Sequence, residues 1–182
     1  MAVSRDQIVS SAEHVFDHRG FAASGMDDLT AAAGVSTRTL YKHVGSKTGL
    51  VVSVLEARTS RFFAHFQAAS VDELFAGLEE WVAKEGSRGC LFLRAHGEAG
   101  ESTPEIAEAV AGYRAQLRSM IARLIGQDLG DDGTVREDDA IVHQILVLFE
   151  GATSAASYLG AAAVTSAREA AASLMNDARG RR

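Results

Sequence analysis

The chain has 182 residues, 47% hydrophobic and 23% charged, which excludes a disordered chain and suits one sizeable core or a small module joined to a larger one. Its net charge of −6 argues at first sight against nucleic acid, and its single cysteine, Cys90, excludes an intramolecular disulfide and fits a reducing cytoplasm. The one proline is Pro104, so nearly the whole chain can be helical without interruption.

No segment alternates as a half-buried strand does, and the apolar periodicity predicts an all-α chain of about nine helices. Their expected spans are 4–19, 26–33, 37–43, 47–69, 71–86, 89–99, 103–127, 135–161 and 164–180. In the first, Ile8, Ala12, Val15 and Phe16 form one apolar face. The second packs Met26, Leu29, Ala32 and Ala33 inward and ends at Gly34, which can take the positive φ of a helix stop. Val35 fills the angle, Ser36 caps the third helix, and Leu40 and Val44 point to the core. The opposite face of that short helix then carries Thr37, Arg38, Thr39, Tyr41, Lys42 and His43, side chains that donate to phosphates and base edges.

Charge follows the same division. Residues 1–60 hold six basic and six acidic side chains, so the whole excess of −6 lies in residues 61–182. Arg38, Lys42 and Lys47 stand together with no carboxylate between them, and near charges dominate at contact because salt screens distant ones. Helix, tight turn and second helix with an exposed basic face make the layout of a helix-turn-helix, whose second helix enters the major groove.

Later elements are less specific. Helix starts are marked by Ser/Thr-x-x-Glu/Gln pairs at Ser4 with Gln7, Ser70 with Glu73, Ser102 with Glu105, Thr134 with Glu137, and Ser166 with Glu169. The 135–161 helix is apolar over much of its circumference, with Ile145, Phe149, Ala152, Ala156 and Leu159 on one side, so it must be buried against more than one neighbour. The last helix offers Ala167, Ala171 and Leu174, small enough for close approach. Phe66, Trp81, Phe92, His96, Tyr113 and Phe149 are candidates for the lining of a pocket, with plain core packing as the alternative. The start of the chain reads as an amphipathic helix rather than a leader, and the uncharged run 151–167 is too weakly hydrophobic for a membrane span. Residues 128–139 mimic a calcium loop but lack its bidentate glutamate, and Cys90 and His96 share no helical face, so no metal or cofactor is expected.

The stretch from Ile8 to Leu50 resembles the N-terminal DNA-binding domain of the tetracycline-repressor (TetR) family of transcriptional regulators. The resemblance rests on Ala12, Phe16, Gly20, Phe21, Leu29, Ala33, Gly34, Val35, Ser36, Leu40, Tyr41, His43, Ser46, Lys47 and Leu50, with 88–98, "RGCLFLRAHGE", similar to a stretch found in some members. It implies a helix-turn-helix domain over residues 1–46, a connecting helix over 47–69 and an effector-binding and dimerisation domain over 70–182. Thr37, Arg38 and Thr39 would meet base edges or nearby phosphates, while Tyr41, Lys42, His43 and Lys47 would hold the phosphate backbone. Ile145, Phe149, Ala152, Ala156, Leu159, Ala167, Ala171 and Leu174 would form a dimer seam, the alternative being that both helices are internal. The expectation is a cytoplasmic, ligand-responsive homodimeric repressor that binds a palindromic operator and is released by a small apolar effector, with no membrane partner. The competing reading is a helical small-molecule-binding protein or enzyme with a vestigial helix-turn-helix. Two departures from the family pattern stand out: Gly25, where a capping hydroxyl is usual, and Val44, where phenylalanine is usual.

Overall fold

The computed structural model describes residues 3–85, 88–100, 102–130 and 135–181. Among these residues it is all helix: α1 Arg5–Arg19, α2 Met26–Ala33, α3 Thr37–Val44, α4 Lys47–His65, α5 Val71–Glu85, α6 Leu91–Ala95 running into a π turn His96–Gly100, α7 Pro104–Leu129, α8 Ala140–Leu159 and α9 Ala161–Gly180. Two compact units emerge, one of residues 1–62 with 91–113, the other of 63–90 with 114–182. The packing divides inside the expected connecting helix, 47–69, and again within the expected C-terminal domain, 70–182. Helices α4 and α7 each contribute to both units, because a long helix has no reason to end where one core gives way to the next.

In the first unit, Ile8, Phe16, Leu29, Leu40, Leu50 and Leu55 from α1 to α4 are wholly buried. The Phe16 and Phe21 rings stack with centroids 4.8 Å apart at the exit of α1. Polar contacts then fix α1 on α4. Glu13 Oε1 accepts from Arg58 at 3.0 Å and Arg61 at 2.6 Å, and Arg5 donates to Ser53 Oγ at 2.8 Å. The Glu13–Arg58 pair is almost buried, so its charge-assisted bonds act in a low local dielectric.

In the second unit, α9 packs on both α5 and α8. Leu74, Leu78, Leu117, Ile121, Ile145, Phe149 and Ala171 are among its core residues. Arg168 on α9 grips Asp72 on α5 through two bonds, of 2.6 and 2.5 Å. The fork holds the Asp72 carboxyl below its ordinary 3.8, chiefly through those hydrogen bonds.

The start signals fare unequally. Ser4 and Gln7 form the full reciprocal box, and Ser70 accepts from the Glu73 N–H at 3.1 Å. Ser102 does not cap: its hydroxyl donates to Ala99, and α7 begins after Thr103, whose carbonyl accepts from Ile106 and Ala107. Ser166 lies inside α9, because Gly160, at φ 61°, ends α8 and the alanines from Ala161 are already helical. Thr134 lies outside the described residues, and Glu137 pairs with Arg118 at 3.1 Å instead.

The residues expected in the dimer seam divide between core and surface. Ile145, Phe149, Ala152 and Ala156 on α8, and Ala167 and Ala171 on α9, are buried inside the chain's own second unit. The strongest apolar stripe of each helix is consumed by its intramolecular neighbours. Leu159 remains exposed and Leu174 half-buried, and Val147 and Tyr158 join them on the surface. By length and composition α8 could cross a membrane, a test that core helices also pass, yet only 28% of its most apolar window is buried here.

Candidate nucleic-acid interface

The site is built by two glycine turns around α3. Gly34, at φ 64°, closes α2 in the paired-bond stop in which its own N–H reaches Ala31 and the Val35 N–H reaches Thr30. The chain then re-enters a helix at Ser36, whose Oγ accepts from the Thr39 N–H at 3.2 Å and bonds the Thr39 hydroxyl at 2.9 Å. Leu40, wholly buried, pins the helix from beneath, while Val44 is half-buried and contributes less. Ala32, expected inward, is exposed.

On the outer side Thr37, Arg38, Tyr41 and Lys42 are exposed, and Thr39, His43 and Lys47 are half-buried. Among the described residues Arg38, Lys42 and Lys47 have no ion-pair partner, whereas elsewhere in the first unit Arg19, Arg58 and Arg61 are paired with carboxylates. Unneutralised cations on one short helix and the next helix's first residue offer phosphate contacts without first breaking internal bonds. Lys47 opens α4, where Ser46 Oγ takes the Gly49 N–H at 2.9 Å and the free amides of the first turn favour an anion.

Gly49 was not among the residues expected to matter. A Cβ there would stand 2.3 Å from the Val44 carbonyl oxygen, so the backbone end of α3 lies directly against the first turn of α4. The available signal was a glycine in a helix's first turn, where propensity disfavours it. Gly49→Ala is expected to cost about 2 kcal/mol, although alanine is the better helix former, because backbone rather than a flexible side chain must move. Urea denaturation measures it; a stabilised variant would show the close approach to be unimportant.

The start of α2 offers no such anion site. Gly25 supplies no capping side chain, and instead its N–H donates to Asp28 Oδ2 at 3.1 Å, with Arg19 pairing the same carboxylate. Asp27 and Asp28 put negative charge in the first turn, which repels phosphate. The Gly25 N–H, then the Arg19 hydrogen bond, hold the Asp28 carboxyl below its ordinary 3.8. A carboxyl more acidic folded than unfolded contributes stability above about pH 4 and loses it as the pH falls below that. Asp28→Asn is accordingly expected to lower stability at pH 7 and to flatten its decline below about pH 4, read from urea midpoints across the pH series. An unchanged acid limb would contradict it.

The pocket candidates fall into two ring clusters, one in each unit. In the first, Phe92 and Tyr113 stack face to face at 3.7 Å with Phe62 edge-on to Tyr113 at 5.3 Å, which fills the space between them. His96 is exposed, its ring folded over Gly100. In the second, Phe66 lies 6.0 Å from Trp81 and 5.7 Å from Phe149, and His65 Nε2 bonds the Gly77 carbonyl at 2.9 Å beside them. Phe66 also lines an open groove of about 680 Å³ with Phe63, Gln67, Gln116, Met120 and Arg123.

A three-helix module whose third helix, the second of the helix-turn-helix, is capped, exposed and cationic has the architecture of a helix-turn-helix DNA-binding domain. The comparisons agree. Residues 8–54 match the family described as bacterial regulatory proteins, tetR family, and residues 68–173 match the tetracyclin repressor-like C-terminal domain. The HTH-type transcriptional activator FasR of Mycolicibacterium smegmatis is 44% identical over 52 residues, 29% of this chain and 24% of its own length. The matched part of the chain thus spans about a quarter of that relative. A TetR-family transcriptional regulator from Streptomyces coelicolor shares the fold at TM-score 0.80 and 23% identity, over 96% of this chain and 95% of its own. One from Haloarcula marismortui does so at 0.79 and 16%, over 95% and 96%. The chain belongs to the TetR family of transcriptional regulators.

Proposed function

We propose that the protein is a homodimer that binds a palindromic operator through α3 and is released from it by a small, largely apolar effector. The observation that carries the DNA part is the row Arg38, Lys42 and Lys47, cations without carboxylate partners among the described residues, on and beside an exposed helix. Thr37, Arg38 and Thr39, at the N-terminal end of α3, read base edges, while Tyr41, Lys42, His43 and Lys47 hold the backbone. The protein acts in the cytoplasm, where this chemistry meets DNA.

Dimerisation is supported by the uncovered side of α8 and α9. Val147, Leu148, Ala170 and Leu174, with His143 and Gln144, line a groove of about 560 Å³, and Val147 is 68% exposed. A second copy that pairs this face with itself forms a two-fold interface and sets two α3 helices roughly 34–36 Å, or a multiple, apart along DNA. The effector is placed in the groove beside Phe66, where Phe63 and Met120 offer apolar contact and Gln67, Gln116 and Arg123 polar ends. It acts by binding one separation of the two heads better than the other.

Selection of duplexes from random-sequence DNA by the full-length protein tests the reading. The expected outcome is enrichment of inverted repeats bound with strong salt dependence. Enrichment of single half-sites would remove the palindrome, and no enrichment at all would remove DNA binding by this face. FasR is named an activator, so the sign of regulation is read separately, by transcription from a promoter carrying the selected site.

A further inference from the structure

The helix α6 and its π turn lie well downstream of the helix-turn-helix and within the span matched to the C-terminal domain, yet they pack in the first compact unit. Two side chains make the junction polar. Arg94 Nη1 donates to the carbonyls of Asp17 at 2.7 Å and Phe16 at 3.4 Å in the last turn of α1, the Phe16 carbonyl also accepting the Gly20 N–H at 2.8 Å. A cation at that end also meets the negative pole of the helix. Glu98, in the π turn, accepts the Ala22 N–H at 2.8 Å, in the turn between α1 and α2. Gly20 lies between these two points with φ 86°, and a Cβ on it would stand 2.8 Å from Glu98 Oε1, so the carboxylate rests directly on the backbone. The Phe16–Phe21 stack is on the same turn.

We propose that Arg94 and Glu98 are positioning residues for DNA binding: together they clamp the end of α1 and the entry to α2, and so fix the pose from which α3 is presented. The proposal rests on the DNA-binding role of α3. Its physical basis is that α1 and α2 meet through a short turn held from within by the Ser24 hydroxyl donating to the Gly20 carbonyl at 2.5 Å and by the Arg19–Asp28 pair, to which Arg94 and Glu98 add a donor and an acceptor from outside that limit how far it can swing. Glu98 is an exposed side chain, which a core-packing role does not explain. Its placement depends on the π turn, whose i→i+5 bonding widens the coil and carries it off the line that a regular helix from Arg94 would follow. Any shift of α6 is passed to the helix-turn-helix through these bonds.

The test uses the full-length chain and a fluorescent duplex selected by the wild type, with affinity read by anisotropy and thermal midpoints read in parallel. Glu98→Ala is expected to weaken binding about tenfold, within the range usual for coupling between sites, with the thermal midpoint nearly unchanged. Glu98→Gln keeps an oxygen for the Ala22 N–H and is expected to stay within about threefold of wild type. Amide exchange of the peptide containing Ala22 is expected to quicken in Glu98→Ala alone. Arg38→Ala, which leaves the clamp intact, serves as the control for the role of α3. If Arg38→Ala loses binding while Glu98→Ala binds as tightly as wild type, or more tightly, the clamp is overturned and the role of α3 stands. Equal loss in the glutamine and alanine variants overturns it too, since the hydrogen bond would then not be what matters. If Arg38→Ala binds normally, the reading of α3 beneath the proposal fails and removes the proposal with it.

Discussion

Replacing Arg38 and Lys42 together by alanine is expected to weaken binding to a selected duplex by at least about 100-fold, with the fold intact. Both side chains are exposed and have no ion-pair partner among the described residues, so their removal takes little from the folded state. Alanine is a strong helix former, and Leu40 and the Ser36 cap, which hold α3 in place, are untouched. The loss therefore falls on DNA. In a dimer each substitution acts twice, and a lost phosphate contact lowers the salt slope by about 0.9. Lys42→Ala alone should reduce the slope of log affinity against log salt by about two, uniformly across sequences. Arg38→Ala, at the reading end of the helix, should instead relax sequence preference. Anisotropy titrations at several salt concentrations separate the two, and an unchanged affinity and slope in the double variant would sink the assignment of α3.

What made this site legible in advance was that its determinants are local. A helix stop at Gly34, a cap at Ser36 and an inward Leu40 each act within a few residues, and the cations are then left on the only remaining face. Gly49 escaped notice because its constraint comes from the Val44 carbonyl across a helix junction, which no periodicity reports. Arg94 and Glu98 escaped as coupling residues for the same reason, since their partners lie more than seventy residues upstream. The stretch around them stood out as similar to other family members, but similarity alone did not say what it touches.

The second unit was legible as helices and much less as surfaces. Periodicity identifies which side of α8 is apolar, but burial by the same chain and burial by a second copy leave the same pattern. The structure separates them: Ile145 and Phe149 are closed in by α9 and α5, and Val147 is left outside. A ring such as Phe92 likewise reads as pocket wall or as core until its partner is known, and here that partner is the Tyr113 ring stacked on it. The 680 Å³ groove beside Phe66 draws half its lining from Gln67, Gln116, Ser119 and Arg123, exposed polar residues of the loop after α4 and of α7 that carry no mark in the sequence.

The same separation leads to the second large expected effect. Val147→Arg should convert the protein from dimer to monomer at micromolar concentration and lower operator affinity by about 1,000-fold or more. Val147 is 68% exposed in the single chain and lines the α8–α9 groove, so an arginine there is solvated in the monomer and leaves the fold intact. In a two-fold pairing of this face it would lie twice in the seam, near its own copy, with Asp177 the one carboxylate among the residues lining the groove, and a desolvated charge in place of an apolar contact costs more than the seam returns. Operator affinity falls with it, because one head holds the second near its half-site only while the two are joined. Ile145→Ala provides the contrast. Ile145 is wholly buried in the chain's own core, so its truncation should cost about 2–5 kcal/mol in unfolding and leave the folded fraction dimeric. Sedimentation velocity and urea denaturation on both variants distinguish the two faces. If Val147→Arg sediments as a dimer while Ile145→Ala dissociates without unfolding, the seam lies on the buried stripe after all and the outer face of α8 has some other occupant.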